Sequence, residues 1–368
     1  MLPLLSAIPE NFISTADYAR YAQSRLPEST LAYLSSGADA GHAMQRNREA
    51  FERCLIHPRV LRSFASANTT VQLLGKTHPH PIFVAPTAWH HLFHPDGEIA
   101  TLHGAAALDA PMVTSTLSGT RLEELAQFAP SPLWFQLYFQ HDLTYSLDLV
   151  RRAEIAGYAA IVVTVDAPIR TQRLAEIQAG FTLPGHIQAA NLDGLPPLHR
   201  QNQIFGSTLL ASAPTWETLI QLKNATHLPI FLKGILTPED ARLAIEHHMD
   251  GIIVSNHGGR CFDSAPAALH VLPSISAAVA GAIPILFDSG IRSGSDIFKA
   301  IALGADAVLV GRPILHGLAC AGALGVAHIL QILRHELEST LVFAGCASLA
   351  EARGSRLSWS GGSGEMMK

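Results

Sequence analysis

Gly251-Ile252-Ile253-Val254-Ser255-Asn256-His257-Gly258-Gly259-Arg260 is the stretch on which the fold turns. Its four leading residues read as a buried strand, and the chain then passes at once into polar groups, so the strand delivers those groups to one end of a sheet. Gly258 and Gly259 allow a sharp turn where side chains would clash. His257 and Arg260 become neighbours on that turn. An imidazole beside a fixed guanidinium suits an acidic substrate: one takes a proton while the other grips a carboxylate through two hydrogen bonds. Taken alone, the stretch also reads as an ordinary strand-end turn with a solvated His and Arg. The rest of the chain decides between the two.

Seven more short apolar runs flank it. Ile82–Ala85, Met112–Ser115, Leu133–Leu137, Ala160–Thr164 and Pro229–Lys233 come before, and Pro284–Asp288 and Ala307–Val310 after. Helical spacing fills the intervals, as in Leu147–Ala156, Asp240–His247 and Ser295–Leu303. Strands alternating with helices imply a parallel sheet, and eight such units imply a closed (β/α)8 TIM barrel. An open doubly wound sheet is the alternative, but no Gly-x-Gly-x-x-Gly follows the first run. Residues 14–36 read as two helices divided at Pro27, and a polar helix carries Asn47, Arg48 and Phe51. The expected organisation over 1–368 is a single domain: an N-terminal helical cap (1–75), the barrel (76–350) and a C-terminal tail (351–368). One connection, from Asp166 to Lys233, far exceeds the others and reads as a lid loop after strand 4, or as a disordered insertion in its middle part.

A barrel places function at the C-terminal ends of its strands. Those ends here read Pro86-Thr87-Ala88, Ser115, Gln136 with Tyr138, Thr164 with Asp166, Lys233, Ser255 through Arg260, Asp288 through Arg292, and Gly311-Arg312. Stability alone would not gather so many polar groups at one end. Gly290, Arg292, Gly311 and Arg312, at strands seven and eight, combine backbone N–H groups with charge in the manner of a phosphate seat. Lys233 reads either as a salt-bridged structural lysine or as a cation facing an electron-rich ring such as a flavin. Gln136 and Thr164 suit the edge of such a ring, or simply pack the barrel interior. Asp166, two residues past Thr164, shares its strand face and is placed to hold His257 and raise its basicity.

Composition narrows the setting. The 368 residues are 48% hydrophobic and only 15% charged, with net charge −5, which argues against nucleic acid and anionic membranes as partners. Cys54, Cys261, Cys320 and Cys346 show no metal spacing and no disulfide framework, so no metal is expected and a reducing, cytoplasmic compartment is. The N-terminus does not read as a signal peptide, the tail is not a peroxisomal address, and no run of about 18 apolar residues predicts a membrane span.

With Lys233-Gly234, Asp288-Ser289-Gly290-Ile291-Arg292 and Gly311-Arg312-Pro313 added to the opening stretch, the chain resembles the FMN-dependent L-2-hydroxy acid oxidase and dehydrogenase family. That family includes glycolate, lactate and 4-hydroxymandelate oxidases and mandelate dehydrogenase. The likeness runs from Tyr18 to about Leu349 and takes in Leu31-Ala32-Tyr33, Ala85-Pro86-Thr87-Ala88, Phe135-Gln136-Leu137-Tyr138 and Thr164-Val165-Asp166. It implies His257 as the base assisted by Asp166, Arg173 and Arg260 as the carboxylate clamp with Tyr33 helping, and Tyr138 at the substrate's hydroxyl or carboxylate. It implies FMN along Ala85, Thr87 and Ala88, its ring held by Ser115, Gln136, Thr164 and Lys233 near Ser255, and its ribityl phosphate by Asp288, Gly290, Arg292, Gly311 and Arg312. The implied reaction takes two electrons from a 2-hydroxy acid to give a 2-oxo acid. The implied assembly is a homotetramer.

Three departures stand out. Leu117 replaces the tryptophan of glycolate oxidases, which opens room for a medium or aromatic substrate side chain. Cys261-Phe262 replaces Gln-Leu, and Ser289 stands where many members have glycine. No fused haem domain and no basic apolar anchor is present in the loop, which favours O2 as electron acceptor, with hydrogen peroxide formed, over a quinone or protein acceptor. An FMN-binding isomerase would not need His257 beside Arg260 with a second clamp at Arg173, and a non-catalytic flavoprotein would bind FMN without being reduced by hydroxy acids.

Overall fold

All eight apolar runs are strands of one sheet in the computed structural model, which describes residues 2–169, 171–195, 204–211 and 213–360. They are β1 (Ile82–Val84), β2 (Val113–Ser115), β3 (Trp134–Leu137), β4 (Ala160–Thr164), β5 (Ile230–Ile235), β6 (Gly251–Val254), β7 (Ile285–Phe287) and β8 (Ala307–Val310). Each pairs in parallel with its sequence neighbours, β8 pairs with β1 through Val308 and Ile82, and a parallel bridge from Val84 to Met112 closes the circle. Being buried on both faces, the strands carry continuous apolar runs rather than alternation. A helix follows each strand, from Gly97–Ala106 after β1 to Arg312–Ala344 after β8.

Two apolar layers result. Inside the barrel, Phe83, Trp134 and Phe231 pack ring against ring, with centroids 5.3 and 4.9 Å apart. Leu73 of the hairpin formed by Val71–Leu73 and Lys76–His78 joins this cluster and plugs the end where the strands begin. Outside, helices cover the strands. The 33-residue helix Arg312–Ala344 is, among the described residues, the only one long and apolar enough to cross a membrane, but 78% of its most apolar 18-residue window is buried inside the fold, and its backbone breaks at Ala321 and Gly322.

The cap consists of the helices Thr15–Arg25, Glu28–Ser35 and His42–Arg53. The first opens on a capping box in which Asp17 accepts from the Ser14 backbone N–H at 2.7 Å. The third lies against the mouth: Asn47 and Asn256 exchange amide hydrogen bonds at 2.8 and 2.9 Å, and Arg48 pairs with Asp296 at 2.7 Å. The first 75 residues are not purely helical, because Cys54–Ile56 pairs antiparallel with Leu357–Trp359 and so ties the C-terminal tail back to the cap. Pieces of three residues are too short to carry a period.

Candidate active site

Of the residues expected at the site, all but Gln136, Asp166 and Ser255 line one cavity of about 510 Å³ at the C-terminal mouth. The other three stand one layer behind and hold those that do. Gln136 accepts from Ser115 Oγ at 3.0 Å and donates to Thr164 Oγ1 at 3.0 Å, which links β2, β3 and β4 at their ends. Ser255 Oγ accepts from Lys233 Nζ at 3.0 Å and from the His257 backbone N–H at 2.9 Å.

Asp166 accepts from His257 Nδ1 at 3.0 Å, leaving Nε2 directed to the Tyr138 hydroxyl at 3.3 Å. A proton on Nδ1 makes Nε2 the basic atom. Burial opposes the imidazolium, as does Lys233, but the Cys261 sulphur and the Asp166 carboxylate outweigh them and push the His257 pKa up to about 9. Two backbone features make this placement possible. His257 adopts φ +59, held by the flanking turn in which Gly258 and Gly259 also take positive φ. Gly234, at a bulge in β5, has φ +117, and a Cβ there would lie 2.5 Å from that of Asp166.

Arg173 and Arg260 arrive from opposite directions and meet. The first comes from the lid loop, whose start forms a parallel bridge between Arg173 and Asp39. The second follows the His257 turn. Their guanidinium groups both reach Glu176 Oε1 at 3.1 Å, and Ser36 Oγ donates to the same oxygen at 2.8 Å. Arg260 also donates to the Tyr33 and Ser36 carbonyls at 2.8 and 3.0 Å and lies 5.1 Å from the Tyr33 ring centre. Tyr33 stacks on Phe181 of the loop at 4.8 Å. Glu176 and Ser36 were not among the residues expected from sequence. The available signal was an acid three residues after Arg173, on the short helix Leu174–Gln178.

The rest of the cavity is cationic. Lys233 pairs with Asp288 at 2.8 Å, both nearly fully buried. Burial works against both charges, but mutual attraction prevails, raising the lysine's pKa and lowering that of the aspartate. Arg312 donates to the carbonyls of Leu34, Ser36 and Gly258 at 2.9–3.1 Å. Arg292 donates to that of Ile291 at 2.7 Å. Burial, then repulsion from neighbouring arginines, lowers both pKa values, that of Arg292 to about 10. Two half-buried guanidinium groups lining one cavity with carbonyls as their hydrogen-bond partners suit a phosphate. Ser289, at φ +91, accepts from the Asn256 and Gly258 N–H groups at 3.2 and 3.0 Å and donates to Asp288 at 2.8 Å, so this departure ties β7 to the His257 turn. A ring edge at Ser115, Thr164 and Lys233 with a phosphate seat at Arg292 and Arg312 fits a flavin mononucleotide.

The profile of the FMN-dependent dehydrogenase family matches residues 22–359. The L-lactate oxidase of Alicycliphilus denitrificans is 45% identical over 350 residues, 94% of this chain and 96% of that protein. The 4-hydroxymandelate oxidase of Amycolatopsis orientalis is 44% identical over 347 residues, 93% of this chain and 97% of that protein. A crystal structure of mandelate oxidase with (S)-2-phenylpropionate superposes with a TM-score of 0.88 at 41% identity, covering 95% of this chain and 99% of the other. The chain belongs to the FMN-dependent dehydrogenase family. FMN is its cofactor, and it is an oxidoreductase.

Proposed function

We propose that the protein oxidises an L-2-hydroxy acid with a medium or aromatic side chain to the 2-oxo acid, with O2 as final acceptor and hydrogen peroxide as second product. The observation that carries this is the meeting of one basic imidazole nitrogen and two guanidinium groups on the wall of a single cavity.

Arg173 and Arg260 take the substrate carboxylate, with Glu176 and Ser36 fixing their orientation. The carbinol carbon then stands near His257 Nε2 and the Tyr138 hydroxyl. His257 receives the proton that leaves the carbinol group, and Asp166 stabilises the imidazolium that results. Bound FMN, its ring at Ser115, Thr164 and Lys233 and its phosphate at Arg292 and Arg312, would supply the two-electron acceptor for this step. Carboxylate, carbinol and cofactor face are three fixed points, so only one enantiomer presents its hydrogen correctly. Leu117, Leu192 and Pro214 give the cavity an apolar wall, which supports a side chain larger than that of glycolate.

The reading also includes a cytoplasmic homotetramer. Val60, Leu61 and Phe343 are 79%, 100% and 76% exposed, and Arg59 N–H donates to the Phe343 carbonyl at 3.3 Å, so these apolar groups form one patch that a subunit contact would cover. Analytical ultracentrifugation tests that element. The activity is tested by incubating the FMN-loaded protein in air with L-lactate, L-mandelate, L-4-hydroxymandelate and glycolate. One peroxide per 2-oxo acid is expected, fastest with the larger acids. Product formation only with an added quinone or dye would reject the oxidase reading.

A further inference from the structure

Cys261, whose sulphur tunes the His257 ring, has no role of its own in the proposed proton transfer or carboxylate binding. It lines the cavity four residues after His257, and its Sγ, a ring nitrogen of His257 and a carboxylate oxygen of Asp166 all lie within 4.8 Å of one another. Spacing rules for metal sites miss this group because Asp166 comes from the end of β4 and the other two from the turn after β6. The three donors are a thiol, an imidazole and a carboxylate, the set that zinc takes when one position is left to water. A tetrahedral zinc at about 2.0–2.3 Å from each donor holds them roughly 3.5 Å apart. His257 Nδ1 and Asp166 Oδ1 already stand 3.0 Å apart. Asp166 Oδ2 is buried and without a hydrogen-bond partner, so this carboxylate has an unused lone-pair edge beside the cluster.

We infer that Asp166, His257 and Cys261 form an inhibitory binding site for zinc or a similar thiophilic divalent cation. Proton accounting explains the inhibition. In the working enzyme the Nδ1 proton points to Asp166 and Nε2 carries the free lone pair. A cation bound at Nδ1 displaces that proton. The neutral ring then keeps its one proton on Nε2, which becomes a donor and cannot accept from substrate. The carboxylate clamp and the phosphate seat are untouched, so FMN stays bound. The inhibitory half of this inference rests on His257 being the base, whereas the binding half does not.

The test uses the FMN-loaded enzyme and buffered free Zn2+. Equilibrium dialysis should give one zinc per chain, and Co2+ in its place should give a thiolate-to-metal absorption band in the difference spectrum. Both should be lost, or affinity weakened at least about tenfold, in Cys261→Ser. Anaerobic flavin reduction by L-mandelate should slow at least about a hundredfold in the zinc-loaded wild type and recover on chelation, whereas in Cys261→Ser the same free zinc should leave the variant's own zinc-free rate, whatever its value, unchanged. Equal zinc affinity in wild type and variant would overturn the site. Undiminished reduction in the loaded wild type would overturn the inhibition. Failure of the functional reading is a separate event, seen as no reduction by any hydroxy acid in zinc-free buffer while the dialysis result stands.

Discussion

The two ends of the barrel are built from opposite materials. Where the strands begin, Phe83, Trp134, Phe231 and Leu73 fill the interior with hydrocarbon. Where they end, the wall carries Lys233, His257, Arg173, Arg260, Arg292 and Arg312, each held by carbonyls, carboxylates or hydroxyls. The first end stabilises the fold by removing apolar surface from water. The second keeps charges in place at a cost in desolvation, and that cost is what an anionic substrate and a phosphate offset. Substitutions at the two ends should therefore separate stability from chemistry.

The largest effect belongs to the mouth. His257→Gln should keep FMN and its melting temperature yet slow anaerobic flavin reduction on the order of a thousandfold, the scale of a lost general base. A rate within tenfold of wild type would remove His257 from the proton transfer. The mirror experiment is Phe231→Ala, which empties a fully buried site at the closed end. It should cost about 3–5 kcal/mol in denaturant unfolding, while the fraction still folded keeps its substrate preference. A changed preference with unchanged stability would erase the contrast between the ends.

Finer substitutions sharpen the comparison within the mouth. Glu176→Ala should raise KM about tenfold with a smaller change in kcat, because both clamp arginines lose a shared partner, and Glu176→Gln, which keeps an acceptor oxygen, should recover most of the loss. The pH profile follows from His257. Only the neutral ring accepts a proton, and its folded pKa is about 9, so kcat/KM should climb from neutral pH, reach half its maximum near that value and level off above it. Asp166→Asn removes a charge that favours the imidazolium and should move the rise to lower pH while reducing the plateau. Smallest is Leu117→Trp, which should slow L-mandelate several-fold more than glycolate if Leu117 contacts the substrate side chain.

The same contrast governs what could be read from the sequence. All eight strands were legible within one or two residues because a closed parallel sheet demands unbroken apolar runs. The residues at the strand ends were legible because position in a barrel predicts the cavity. The partners that hold them were not. Glu176, Ser36 and Asn47 come from the loop and the cap, where no period marks which side chain turns inward, yet they grip Arg173, Arg260 and Asn256. Lys233 had two readings, and the structure joins them: it is salt-bridged to Asp288 and still lines the cavity. The middle of the lid loop, 196–203, lies outside the described residues.

The central claim is that the clamp, the base and the flavin fix three substituents of one carbon. Anaerobic stopped-flow of the FMN-loaded enzyme with the two enantiomers of mandelate tests it most directly. The account predicts that L-mandelate bleaches the flavin absorbance and D-mandelate leaves it unchanged. Equal bleaching by both enantiomers, or bleaching by neither while FMN remains bound, would contradict it.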